Sequence, residues 1–197
     1  LRYRLGPKYH HPIELHDAQR AIRLVRAHAD GWHLKSDHIG IMGYSAGGHL
    51  ASSTATHFDD GDPSARDAID RVSSRPDIQV LIYPVITMEA GGHKGSRINL
   101  LGADAPQSLI DFMSSERQVT DQTPAAFVMQ STADRTVKVV PNADAYVAAL
   151  KAHHVPVEYI RGDLGPHGTG PRQTWLPQLS AWLTARGFTR TQPATMP

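Results

Sequence analysis

A chain of 197 residues with 40% hydrophobic content is long enough for one substantial core and short for two, so a single domain is expected. Lys plus Arg number 20 against 19 for Asp plus Glu, and a net charge of +1 offers no electrostatic attraction for nucleic acid or an anionic membrane surface. The lack of cysteine excludes a disulfide framework and a thiolate metal site, and no apolar run approaches the ~18 residues that span a bilayer. No targeting segment is visible from Leu1 onward, so compartment stays open.

In chain order, Leu1-Arg-Tyr-Arg-Leu5 alternates apolar and basic residues and predicts a short strand closed by Gly6-Pro7. From Pro12 the period lengthens. Ile13, Leu15, Ala18, Ala21, Ile22, Leu24, Val25 and Ala29 recur at helical spacing and predict a helix to about His28, stopped by Asp30-Gly31. Ser36-Asp37 opens a strand over Ile39 to Met42, which turns at Gly43-Tyr44-Ser45-Ala46-Gly47 into a helix-compatible run from His49. The polar break from Phe58 to Ser64 holds three aspartates, but it lacks the alternating ligands and closing glutamate of a calcium loop and reads as a solvated turn.

Pro76 to Val85 is an almost continuous apolar run, as expected of a central strand buried on both faces. Glu89 to Arg97 reads as a long glycine-rich, basic loop, and Ser108 to Glu116 as a short helix. A strand over Ala125 to Gln130 ends in Ser131-Thr-Ala-Asp134. Asn142 to His153 reads as an amphipathic helix with Asn142 as its N-cap. Val155 to Ile160 is the last strand and Gly162 to Gly170 the loop after it. Trp175 to Arg186 is a closing helix with Gly187 just past its end. The tail from Thr189 to Pro197 is expected to be disordered, which bounds the domain at 1–188. Strands alternate with helices throughout, so the fold class is α/β, a mostly parallel sheet with helices on both faces. Neither an internal repeat nor an inter-domain linker is found.

A serine on a tight strand-to-helix turn has its hydroxyl held at the sheet's edge, and glycines at 43 and 47 are expected where a Cβ would collide. The following helix aims free N–H groups and its positive dipole end at Ser45. A serine needs a base to become a nucleophile, and the base needs a carboxylate to hold its tautomer. In a parallel α/β sheet these partners belong at the carboxyl ends of strands. Asp134 follows the fourth predicted strand and His167 the fifth, with Asp121, Asp144 and Asp163 as competitors for the acid. His167 alone among 12 histidines lies in a glycine-flanked loop directly after the last strand. His49 is expected to be a packed or hydrogen-bonding helix residue. His10, His11 and His16 lack any ligand spacing, and His153-His154 suits a helix end. The chain order Ser, Asp, His is that of the α/β-hydrolases. A glycine-rich turn without chemistry is the alternative that the pentapeptide alone leaves open.

Tyr3-Arg-Leu5, Ile39-Gly-Ile-Met-Gly-Tyr-Ser-Ala-Gly-Gly-His-Leu-Ala51, Gln79-Val-Leu-Ile-Tyr-Pro-Val85, His93-Lys-Gly-Ser-Arg97 with Asn99-Leu-Leu-Gly102, and Asp134-Arg-Thr-Val137 together resemble α/β-hydrolase esterases of the acetylxylan and feruloyl esterase type. The likeness runs from residue 1 to about 188. It implies a three-layer α/β-hydrolase fold and hydrolysis of carboxylic esters, often acetyl groups on carbohydrate. It implies Ser45, Asp134 and His167 as catalytic residues, the Ala46 N–H as oxyanion donor, and no metal or organic cofactor. Tyr44, His93, Lys94 and Arg97 are the candidate substrate contacts. The family's HGGG-like loop, with further oxyanion donors and strands, lies upstream of the segment matching Tyr3 to Leu5. The resemblance therefore leads us to expect missing N-terminal strands, weak turnover by these residues alone, and self-association through an exposed sheet edge. The proline that usually follows the acid is displaced to Pro141. The alternatives to an esterase are a peptidase of the same fold and a non-catalytic or inactive hydrolase-fold chain.

Overall fold

The computed structural model describes residues 1–168 and 172–189. Four strands, β1 (Gly40–Tyr44), β2 (Ile78–Ile82), β3 (Ala125–Ser131) and β4 (Val157–Gly162), form one parallel sheet in the order β1-β2-β3-β4. Register places Tyr44 opposite Ile82, Ile82 opposite Met129 and Ser131 opposite Gly162, so the carboxyl ends of all four strands lie along one rim. Among the described residues, six α-helices accompany them: α1 (Ile13–Ala27), α2 (Ala46–Thr56), α3 (Lys94–Leu101), α4 (Gln107–Phe112), α5 (Ala145–Ala152) and α6 (Arg172–Ala185).

The alternation of side chains along β2 and β3 sorts the core into two layers. Ile78, Val80, Ile82, Phe127 and Met129 face α6, where Trp175, Leu179 and Trp182 cover them. Leu81, Ala126 and Val128 face the other way, onto Ala51 of α2 and Tyr146, Val147 and Leu150 of α5. Every residue of β2 is buried, the double coverage that its unbroken apolar run predicts. The polar exception, Gln79, accepts a hydrogen bond from the Tyr146 hydroxyl at 2.9 Å and donates to the Pro124 carbonyl at 3.0 Å. Both polar groups are thus satisfied inside the core.

Helix α1 carries Arg20, Arg23 and Arg26 at three-residue intervals on one face. Arg20 pairs with Asp70 at 2.6 Å, Arg23 with Asp59, and Arg26 with Asp77 at 2.9 Å. Asp59 thus ties the polar break to α1, and within the break Asp59 and Asp62 accept from the turn N–H groups of Gly61 and Ser64. Asp77 in turn accepts from the Ile39 N–H at 2.7 Å, which fixes the entry into β1.

Four expectations need correction. Residues 1–5 form no strand: the Arg4 N–H donates to Asp17 Oδ2 of α1 at 2.9 Å, so this backbone bonds to a helix instead of a ladder. The serine, aspartate and histidine consequently follow the first, third and fourth strands, and β1 is the last strand on its side among the described residues. The basic stretch from His93 to Arg97 is mainly helix, because the His93 side chain accepts from the Ser96 N–H and caps α3. Asn142 is no N-cap. It is fully buried in a π-helical turn, Val140–Asp144, ahead of α5, and its Oδ1 accepts from the N–H groups of Ile86 (2.9 Å) and Thr87 (3.3 Å). An amide there satisfies two donors of the chain leaving β2, which a helix cap does not need. Of the expected disordered tail, residues 190–197 lie outside the described residues.

Candidate active site

The turn after β1 forces Ser45 to φ +52° and ψ −119°, a conformation that L-residues rarely occupy. Three backbone bonds hold it there. The Ser45 N–H donates to the Ile82 carbonyl at 3.1 Å, and the Ser45 carbonyl accepts from Val85 at 3.1 Å and His49 at 3.2 Å. A Cβ on Gly43 would sit 1.9 Å from the Gly47 carbonyl oxygen, so that glycine is obligatory. At Gly47 a Cβ would meet nothing within 4 Å, contrary to the expected collision. The second constrained glycine is Gly48, whose Cβ would meet Pro84 at 2.7 Å. Close packing of α2 against the chain after β2 makes the difference.

The rim of the sheet brings Ser45, His167 and Asp134 together. Ser45 Oγ lies 2.8 Å from His167 Nε2, and His167 Nδ1 lies 2.6 Å from Asp134 Oδ2. Nδ1 faces a carboxylate and so carries the ring hydrogen, which leaves Nε2 free to accept the serine proton. The Asp134 side chain has 0% exposure. Its Oδ1 accepts from the N–H groups of Thr136 and Val137, each at 2.9 Å, and its Oδ2 from Gln130 Nε2 at 2.9 Å beside His167. Four donors converge on one carboxylate, a site shaped for an acceptor. The loops that carry the two residues are joined at their base: the Thr132 N–H donates to the Gly162 carbonyl at 2.7 Å, and the Leu164 N–H to Ser131 Oγ at 3.0 Å. Asp144, a competitor for the acid, is engaged elsewhere with Arg161 at 2.9 Å, whose hydrogen bonds hold its carboxyl below the usual range.

Sequence reasoning missed two contributors. Tyr83 follows β2 with φ +39°, and its ring stands edge-on to the His167 imidazole at 4.9 Å between centroids. Burial raises its phenol above the ordinary value. Gln130 is the other, hidden inside an apolar strand. Their shared signal is a polar or amphipathic residue at the carboxyl end of a buried strand. Tyr44 is exposed and leans on Tyr83 at 5.8 Å.

Ala46, the first residue of α2, has no intrahelical acceptor for its N–H. It also lines a cavity of about 180 Å³ with Tyr3, Tyr9, Met88, Ser96 and Asn99 among the walls. His93, Lys94 and Arg97 are not part of that wall. His93 caps α3, Lys94 is exposed, and Arg97 reaches the Met88 carbonyl at 3.5 Å. His49 is a buried helix residue, as expected, donating from Nε2 to the Met113 carbonyl at 2.8 Å. Its burial pushes the imidazole down to about 4. His10 and His11 hold the N-terminal segment to α3, through Nδ1 to Asn99 O at 2.9 Å and N–H to Leu100 O at 2.8 Å. Among the described residues, no group of three or more His, Asp or Glu is placed to hold a metal ion.

A parallel sheet covered by helices on both faces, with a serine on a strained turn after one strand and Asp and His after later strands, defines an α/β-hydrolase fold. The chain belongs to the BD-FAE family, whose profile matches residues 1–146. An acetyl ester-xyloside bifunctional hydrolase from Caldicellulosiruptor lactoaceticus has the same fold with a TM-score of 0.93 and 39% identity, over 96% of this chain and 71% of that one. An acetylxylan esterase from Xylanibacter ruminicola is 33% identical over 194 residues, 93% of this chain and 38% of its own length. Endo-1,4-beta-xylanase B from Butyrivibrio fibrisolvens is 36% identical over 162 residues, 82% of this chain and 25% of its own. The chain thus spans well under half the length of these two curated relatives.

Proposed function

We propose that this protein is a serine carboxylic ester hydrolase that works through an acyl-enzyme and deacetylates O-acetylated carbohydrate or related small esters. The observation that carries the reading is the unbroken line of short contacts from Ser45 Oγ through the His167 ring to Asp134. In the first half-reaction His167 Nε2 takes the Ser45 proton as Oγ bonds to the ester carbonyl carbon. The carbonyl electron pair moves onto oxygen, and the Ala46 N–H at the positive end of α2 receives it. Collapse re-forms the carbonyl and expels the alcohol, which leaves with the proton held on Nε2. Water then repeats the sequence on the acyl-enzyme, releasing carboxylic acid and restoring Ser45. Asp134 holds the tautomer and stabilises the imidazolium in both halves.

Substrate class rests on the cavity and on the relatives. The pocket of about 180 Å³ that Ala46 lines, with Tyr3, Tyr9, Leu50 and Met88 among its walls, offers a largely apolar place for a small acyl substituent. The names of the Caldicellulosiruptor and Xylanibacter relatives point to acetyl esters of xylose-based sugars. Tyr44 is assigned to the approach beside His167, and His93, Lys94 and Arg97 to the outer substrate contacts. The test is hydrolysis by the protein of acetylated xylan, p-nitrophenyl acetate and an aminoacyl anilide, with Ser45→Ala as control. Acetate release that Ser45→Ala abolishes is expected; anilide cleavage in preference to both esters would instead assign a peptidase.

A further inference from the structure

Beneath the Asp134 loop, β3 ends with a polar side chain turned into the protein. Gln130 is fully buried, and its Nε2 donates both to Asp134 Oδ2 at 2.9 Å and to the Val137 carbonyl at 3.0 Å. Both partners are acceptors, so the amide has one admissible orientation; the flipped form would press its oxygen against a carboxylate and a carbonyl. The cost is visible at the other end, where Oε1 is buried with no hydrogen-bond partner.

We infer that Gln130 is a positioning residue for the reaction: it sets the plane of the Asp134 carboxylate and thereby aims Oδ2 at His167 Nδ1. The inference rests on the ester-hydrolase reading above. The backbone N–H groups of Thr136 and Val137 both bond to Oδ1, which anchors one oxygen. Rotation about the bond to the carboxyl group is soft, a broad two-fold torsion. The bonds to Oδ1 restrain that rotation at one oxygen, and at Oδ2 Gln130 supplies the donor that restrains it independently of the His167 Nδ1–H it is to meet. By also bonding the Val137 carbonyl, the same amide closes the turn that presents Asp134, so one side chain fixes both the loop and the carboxylate plane. The groups otherwise near this pair are Tyr83 against the imidazole, Tyr44 behind it, Arg172 acting on Tyr83, Arg135 next to the acid and Asp163 in the histidine loop. Among the described residues, Oδ2 accepts from Gln130 and His167 and from none of these.

Gln130→Met keeps the length and apolar fit and removes the donor; Gln130→Asn keeps an amide but withdraws it by one methylene. Each is compared with wild type in aryl acetate kinetics and in the low-field proton resonance of the His167 Nδ1–H bond, read without substrate. We expect kcat to fall about 10- to 100-fold with KM within about two-fold, and the resonance to move upfield or broaden away. An unmoved resonance, or kcat within about two-fold of wild type in a folded variant, overturns the positioning role. If wild type hydrolyses no ester while the resonance still depends on Gln130, the function assignment fails and the positioning role stands. A fall in melting temperature with KM and kcat affected alike in both variants marks a merely structural residue and also overturns it.

Discussion

His49 should make this fold acid-sensitive well above the range in which carboxylates titrate. Its imidazole is fully enclosed, and that burial, stronger than the opposing hydrogen bond to Met113 and the charge of Glu14, lowers it from 6.5 to about 4. In the unfolded chain it returns to about 6.5. Between these values the unfolded state binds the extra proton, so the contribution is fully present above pH 6.5 and is lost as pH falls toward 4. At about 1.36 kcal/mol per unit, the full window is worth about 3 kcal/mol, of which about 2 kcal/mol is lost by pH 5. The variant is His49→Gln, whose amide can still donate to the Met113 carbonyl but does not titrate. Urea unfolding of both proteins at pH 7.5 and pH 5 isolates the term, because His57 and the carboxylates remain in each. Wild type should lose about 2 kcal/mol more than the variant over this interval. Equal losses would refute the burial argument.

Other consequences separate constraint from coincidence in the nucleophile turn and its supports. Gly43→Ala should disrupt the turn and abolish turnover, because the new Cβ would sit 1.9 Å from a backbone oxygen, whereas Gly47→Ala should retain most activity; aryl acetate kinetics on both variants decide it. Asn142→Leu should destabilise by on the order of 3 kcal/mol, since it orphans the buried N–H groups of Ile86 and Thr87, and chemical denaturation at neutral pH reads the loss. Arg97→Ala should change the ratio of activity on acetylated sugar to activity on aryl acetate. Equal losses on both, with a lower melting temperature, would leave Arg97 only its bond to the Met88 carbonyl.

The parallel sheet was legible because strand and helix periods alternate cleanly, and β2 in particular carries an apolar run that only double coverage explains. That Ser45, Asp134 and His167 would meet was legible because a parallel sheet sends residues after its strands to one rim; the catalytic roles remain a proposal. What stayed hidden depends on partners distant in sequence. The alternation at Leu1 to Leu5 looks like a strand until Asp17 claims the Arg4 N–H, and Asn142 looks like a cap until the chain after β2 arrives beside it. The pentapeptide marks Gly43 and Gly47 alike, yet the close backbone approach falls on Gly43 and Gly48. Gln130 gave only a weak signal, a polar residue four before the acid in an apolar strand.

The central claim is that Ser45 is a nucleophile activated by His167. Exposure of the protein to a fluorophosphonate followed by peptide mass spectrometry tests this without choosing a substrate. One covalent adduct is expected on the peptide containing Ser45, abolished by Ser45→Ala and strongly slowed by His167→Ala; no adduct on a folded protein, or an adduct that survives Ser45→Ala, would contradict a Ser45 nucleophile.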